Sequence, residues 1–292
     1  MDERVSPTFK RARLARILRS YRLQARLTLE EVAAPLFTSN RALSRIELGQ
    51  QGIDPHFLKS MLDLYGVPAD RWPDLVDLCL EARKKGWWTD FGVPHAKGTY
   101  VSLETEASAV FDFSLGLLPG LLQCPAYARA TLIKFGATAA TIDRQVEFRL
   151  ARQERLTADD PLPLHVVIDQ LSLLRPIGGE RVRIAQCDYL AGMAELPNIK
   201  IQILPLDAGE HVGMEGSFTV MRFRPRTDYP DVVYHQFAGS EIFIDSRERT
   251  GRFSRLFAEL ADVALGEHDS VDLLVRMAEH RGVCSGVAQE QP

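Results

Sequence analysis

The stretch "TLEEVAAPLFTSNRALSRIELGQ", residues 28–50, reads as two short helices about a tight turn. Thr28 is suited to cap the first helix, with Glu30 and Glu31 in its opening turn, where the helix dipole favours acids. Glu31 is also correctly spaced to close a capping box with Thr28. Pro35 stops or kinks that helix near its end. Ser39 caps the second helix and Gly49 ends it, so the two should run about nine and ten residues.

The second of these helices is two-faced. At a 3.6-residue period, Asn40, Arg41, Ser44 and Arg45 fall on one side, while Leu43 and Ile46 form an apolar edge that points inward. A tray of amides, hydroxyls and guanidiniums is either a solvated face or a surface built to lie against something that reads donors and acceptors. Duplex DNA is such a partner: Asn pairs with adenine and Arg with guanine, each for roughly 1–3 kcal/mol of discrimination. Thr38 and Ser39 suit phosphate at the helix start. Gln50 adds a backbone contact, and Thr28 completes the DNA-facing candidates. Arg22 and Glu47 are placed for an ion pair that ties the preceding helix to the end of this one.

Working outward, residues 8–26 carry Leu14, Leu18, Tyr21 and Ala25 as the stripe of an amphipathic helix. A fourth helix begins at "DPHFLKSMLDLYG", with Asp54 as cap and Pro55 in its first turn, and a fifth follows around "DRWPDLVDLCLEARKK". The expected fold is therefore mainly α: a five-helix helix-turn-helix domain over residues 1–83, then a Gly- and Pro-broken linker over 84–98. In that linker Trp87 and Trp88 are either a docking knob or, on the favoured reading, local packing. Beyond it, residues 99–282 read as an α+β domain with a small mixed sheet, and 283–292 as a frayed tail. Within that domain "ETEASAVFDFS", "PAYARATLIKFG" and "TIDRQVEFRLARQERLT" read as helices. "LHVVID", "IKIQILPL", "SFTVMRF", "DVVYHQF" and "EIFID" read as strands.

A chain of 292 residues with a formal net charge of −4 is ordinary globular material and looks wrong for a polyanion binder. The charge is split, however. Residues 1–50 hold ten Lys/Arg against five Asp/Glu, and the remainder holds 25 against 34. A basic head on an acidic body places any polyanion at the N-terminal end. Cys79, Cys124, Cys187 and Cys284 form no C-x-x-C pair, which argues against a disulfide framework or a zinc site. No signal peptide or membrane-spanning run is legible, so a cytoplasmic protein is expected.

The match of "LTLEEVAAPLFTSNRALSRIELGQ" at Leu27–Thr28, Glu30–Glu31, Ala33, Ser39, Leu43–Glu47 and Gly49 resembles the phage-repressor-like helix-turn-helix of the xenobiotic-response-element type. That resemblance implies base reading by Asn40, Arg41 and Arg45 with Ser44 alongside, and an internal ion pair at Arg22 and Glu47. Two residues depart from the pattern. Leu29 stands where the family often has a phosphate-binding Gln. Phe37 stands where the turn usually has Gly, which leaves room for a different turn geometry. Residues 98–280, through "SLETEASAVFDFSLGLLPGLLQCPAYARATL" and "LPNIKIQILPLDAGEHVGMEGSFTVMRF", resemble a domain of uncharacterised function. It lies behind such helix-turn-helices in actinobacterial regulators, often called WhiJ-like or antitoxin-like. This resemblance implies that a small acidic partner protein encoded nearby is a candidate partner.

Catalytic candidates in the second domain are weak. His165 and Asp169 of "HVVIDQ", and Glu210, His211 and Glu215 of "GEHVGMEG", are titratable, but His211 and Glu215 would suit a metal only on a helix, which Gly213 and Gly216 oppose. There is no G-x-S-x-G elbow. Gly178–Gly179 before a helix could take a phosphate, or could be a turn and helix start. Leu117, Leu118, Leu121 and Leu122 cluster around Pro119 and Gly120 as a pocket lining or dimer seam, or else as core. The expectation is a non-enzymatic, sequence-specific transcriptional regulator without metal or cofactor, homodimeric on a pseudo-palindrome of double-stranded DNA. The alternative is an antitoxin-like regulator whose C-terminal domain binds a small partner protein or a small-molecule effector.

Overall fold

The computed structural model describes residues 4, 6–93, 98–237 and 240–279, and the chain divides into two compact units. The first is drawn from residues 1–106 and 224–229, the second from 107–223 and 230–292.

The first unit holds α1 (Pro7–Gln24), α2 (Leu29–Ala33), α3 (Asn40–Glu47), α4 (Pro55–Leu64), α5 (Trp72–Glu81) and α6 (Gly98–Glu106). Its core joins Leu14 and Leu18 of α1 to Val32, Leu43, Ile46, Leu58, Met61 and Leu62. α2 and α3 are five and eight residues long, shorter than the nine and ten expected. The cause is local. Pro35 has no N–H to continue α2, and the chain reverses at Phe37 instead of adding a turn. Four helices in succession end in the same way, with the amide after a left-handed residue donating five residues back. Leu27 donates to Arg22, Thr38 to Ala33, Gln50 to Arg45 and Val67 to Leu62. The left-handed residues are Arg26, Phe37, Gly49 and Gly66, with φ of 59°, 50°, 70° and 69°. Phe37 thus adopts the conformation normally left to glycine, and the turn keeps its ordinary geometry. Gly49 is needed twice over, because a Cβ there would lie 3.3 Å from the Ala12 Cα.

The five-helix expectation misses α6, which belongs to this unit: the Ser102 hydroxyl accepts from the Phe9 amide at 2.8 Å. The segment read as a linker is packed where it is described. Trp87–Phe91 forms a 3₁₀ turn, and Trp88 is fully buried with Trp87 edge-on to it. Gly86 and Gly98 both lie flat against the Trp88 indole, where a Cβ on either would come within 2.3 Å. Residues 94–97, the 283–292 tail and Cys284 lie outside the described residues. The other three cysteines are buried free thiols.

The second unit is built on six strands, β1 (Ala109–Ser114), β2 (Leu164–Asp169), β3 (Ile199–Leu204), β4 (Phe218–Arg222), β5 (Val232–Phe237) and β6 (Ser240–Ile244). Their order is β3-β2-β1-β4-β5-β6. β1, β2 and β3 run parallel, and β4 to β6 continue antiparallel. The helices are α7 (Pro125–Lys134), α8 (Ile142–Gln153), α9 (Gln170–Leu174), α10 (Glu180–Met193), α11 (Arg247–Val263) and α12 (Glu267–Glu279). The sheet is mixed, as expected, but larger than the small one anticipated. Its central strand β1 lies inside "ETEASAVFDFS", which the periodicity assigned to a helix. Pairing on both edges, with β2 and with β4, overrides that local preference. One face packs on α11 through Phe113, Val167, Phe218, Val220, Phe257 and Leu260. Leu118, Leu121 and Leu122 are buried, and Leu117 alone is 40% exposed, so the leucine cluster is core rather than seam. Among the described residues no helix is long and apolar enough to cross a membrane.

Candidate nucleic-acid interface

α3 is held by one side and open on the other. Leu43, Ile46 and Glu47 are buried, whereas Asn40, Arg41 and Arg45 are exposed and Ser44 is half-buried. At 100° per residue the four polar positions span about 140° of arc. At about 1.5 Å per residue, eight residues make a rod about 12 Å long, and a helix about 10–12 Å across with its side chains is what a major groove about 12 Å wide admits. Among the described residues, no hydrogen bond or ion pair engages the side chains of Asn40, Arg41 or Arg45, so their donors and acceptors face water. The Ser39 hydroxyl accepts from the Ala42 amide at 3.1 Å and sets where the helix begins. The remaining first-turn amides are those a helix leaves open to an anion. Thr38 is half-buried, and Gln50 is exposed just past the helix end, its amide donating to the Arg45 carbonyl at 2.9 Å.

The orientation of α3 is set from beneath. Arg22 Nε donates to Glu47 Oε1 at 2.6 Å, and Nη2 to Oε2 at 2.8 Å, a two-pronged pair in which both residues are less than a tenth exposed. The third arm, Nη1, donates to the Leu27 carbonyl at 2.8 Å. The Glu47 hydrogen bond holds the guanidinium pKa above its ordinary value, against the opposing effect of burial. Nearby, burial first and the Glu47 charge second keep the Tyr65 phenol well above its usual range.

The start of α2 differs. Thr28 is exposed, but its hydroxyl accepts from the Glu31 amide at 3.2 Å and donates to Glu31 Oε2 at 2.9 Å, while the Thr28 amide donates to the same oxygen at 2.8 Å. The capping box is complete. Hydrogen bonds from Thr28, the backbone one foremost, lower the Glu31 pKa. A carboxylate therefore already occupies the positive end of α2, with Leu29 beside it. That end opposes a phosphate, and the exposed polar face is concentrated on α3.

In the second unit the titratable candidates are only partly brought together: Asp169 meets His211, and His165 stands elsewhere. Asp169 Oδ1 accepts from the Leu171 amide and caps α9, and Oδ2 lies 3.3 Å from His211 Nε2. His211 Nδ1 accepts from the Gly213 amide, so both ring nitrogens are engaged in clipping the loop to the strand end. Glu215 ends a 3₁₀ turn and is not on an α-helix. Among the described residues no group of three His, Cys, Asp or Glu side chains could hold a metal ion. Gly178 and Gly179 start α10 with Glu180 in its first turn, ion-paired to Arg183, and that carboxylate opposes a phosphate there. His165 stands apart from Asp169 and His211, facing a cavity with Phe111, Lys200, Gln202, Arg222 and Phe257. Of these lining residues only His165 stood out in the sequence. The available signal was polar residues at inward positions of otherwise apolar strands.

A capped pair of short helices whose second member bares a polar face defines a helix-turn-helix unit of the kind found in DNA-binding regulators. A family model described as a helix-turn-helix domain matches residues 13–75. A second, described as "Domain of unknown function (DUF5753)", matches residues 98–276, more than half the chain, and the chain belongs to that family. No curated protein and no solved structure matches it.

Proposed function

We propose that the protein is a sequence-specific transcriptional regulator of the cytoplasm, without catalytic activity of its own. It acts as a homodimer on a pseudo-palindromic operator. One observation carries this reading: on α3, Asn40, Arg41 and Arg45 stand exposed and without side-chain partners among the described residues, while Leu43, Ile46 and Glu47 lock the opposite side. In this reading Asn40, Arg41 and Arg45 read base edges, and Ser39 and Gln50 position the backbone. Two copies of α3 then meet half-sites about 34 Å apart.

The test is selection from a random duplex library by the full chain, followed by gel-shift titration of the winning sequence and of unrelated DNA. A dyad-symmetric winner is expected. Arg41→Ala or Arg45→Ala should each lose roughly 1–3 kcal/mol on the selected site and far less on unrelated DNA. No enriched sequence, or equal losses on both DNAs, would overturn base reading. An asymmetric winner bound at one chain per duplex would overturn the homodimer.

A further inference from the structure

The second unit contains a cavity of about 310 Å³ between the sheet and α11. Its floor is one row of register-paired residues: Val220 opposite Phe111, Phe111 opposite His165, and His165 opposite Lys200. Gln202 and Arg222 stand two residues further along β3 and β4, on the same face. α11 covers the row with Ser254, Phe257, Ala258, Ala261 and Asp262, and the small residues among them leave the space unfilled. Where the same strands meet α11 at their other ends, the contact is closed by Phe113, Val167, Leu204 and Leu260.

The polar groups of this cavity are oriented. The Gln202 side-chain amide donates to the Ala261 carbonyl at 3.1 Å and the Leu265 carbonyl at 2.9 Å. Both its protons are thus spent, and Oε1 faces His165 Nε2 at 2.8 Å. The ring must donate there, so a neutral His165 carries its proton on Nε2 and leaves Nδ1 as a bare acceptor. Burial lowers the His165 pKa and favours that neutral form. Phe111 and Phe257 make an aromatic corner, with centroids 5.4 Å apart at 74°, and His165 stands 4.8 Å from Phe257. The Arg222 guanidinium lies 4.3 Å above the Phe111 ring, and Lys200 pairs with Glu267 at 3.1 Å.

We infer that this cavity is a binding site for a small planar aromatic carboxylate. Its ring enters the Phe111–Phe257 corner, its anion meets Arg222 and Lys200, and an N–H or O–H on the ring donates to His165 Nδ1. The size is at the lower end for ligand pockets, which suits one fused-ring acid. The assignment concerns the second unit alone, so it stands or falls apart from DNA binding.

Indole-3-carboxylate, 1-naphthoate and salicylate serve as probes, titrated calorimetrically into the full chain at neutral pH, with indole-3-carboxamide as the uncharged control. Saturable one-to-one binding of at least one acid is expected, with indole-3-carboxylate favoured over 1-naphthoate because it alone carries the N–H. The carboxamide should bind at least tenfold more weakly than its acid. Arg222→Gln and Lys200→Gln should each weaken binding severalfold, and Ala261→Leu should abolish it in a chain that still melts cooperatively. Absence of saturable binding by all three acids up to about 1 mM would overturn the site. Equal affinity for acid and amide would overturn the anion assignment. Unchanged affinity in both Ala261→Leu and Arg222→Gln would place the binding elsewhere and overturn the proposal.

Discussion

Replacing Glu47 by Ala separates a buried ion pair from a decorative one. In the native unit Arg22 is about 9% exposed, and its guanidinium donates twice to Glu47 and once to the Leu27 carbonyl. Removing the carboxylate leaves a desolvated cation with a single carbonyl, and breaking such a pair costs about 3–5 kcal/mol. A pair on the open surface would cost no more than about 1 kcal/mol. Against a total stability of roughly 5–15 kcal/mol, the larger loss is a substantial share of what holds the helix-turn-helix together. For a unit of this size the lower figures correspond to a fall of about 12 °C in Tm. The check is thermal and urea denaturation of Glu47→Ala beside the double variant Arg22→Met/Glu47→Leu. Swapping both partners for apolar residues removes the charge with its partner and should recover most of the loss. A single variant within about 1 kcal/mol of wild type would refute the reasoning, as would a double variant no more stable than the single.

Phe37→Gly should stabilise the first unit by up to about 1 kcal/mol: relief of the left-handed strain, roughly 1–2 kcal/mol, exceeds the added freedom of the unfolded glycine, and the 99% exposed ring gives up no burial. A lower denaturation midpoint would contradict this. Gly98→Ala should destabilise by about 1–3 kcal/mol, because the new Cβ overlaps the Trp88 indole. The opposite sign, the usual gain from Gly to Ala in a helix, would show that the contact yields. For His165 the folded pKa lies below its unfolded value of about 6.5, so the unfolded chain binds the extra proton first. Stability should therefore be complete above about pH 6.5 and fall as pH drops below it, more steeply in wild type than in His165→Gln, as read from Tm across pH 8 to 5. Parallel curves would exclude the effect.

Residues that act through their own neighbours were legible. Thr28 and Ser39 as caps, Gly49 as stop, Pro35 as break and the inward pair Leu43 and Ile46 all do what short-range spacing implies, because each depends on a few adjacent residues. The Arg22–Glu47 pair was reachable only because two helices of known length fix its geometry. β1 was not legible. Its Ala, Val and Phe are compatible with either state, and only pairing with β2, some fifty residues on, and β4, over a hundred on, decides it. The cavity was illegible for the same reason. It gathers residues from 111 to 262 by strand register, and register is a property of the assembled sheet. Leu118, Leu121 and Leu122 show the same limit from the other side, since an apolar cluster in a broken segment suits a pocket, a seam or core alike, and only its context buries it.

The cavity itself poses a stability question that one substitution can answer. A void of about 310 Å³ left dry would cost on the order of 7 kcal/mol at about 24 cal/mol per Å³, more than a marginally stable unit can carry. The lining resolves the conflict, because His165, Lys200, Arg222 and Asp262 are groups that water can solvate, so the space need not be dry. Even so, larger side chains at Ala258 and Ala261 would bury more apolar surface at no loss of helix propensity, since leucine is nearly as good a helix former as alanine. If small residues are kept there for a ligand, Ala261→Leu should raise Tm, with a gain bounded by about 1.5–3 kcal/mol for a fully buried leucine, while it removes aromatic-acid binding. Loss of both stability and binding would mean that Ala261 is held against the sheet by close packing, and that the space beside it is not available to a guest.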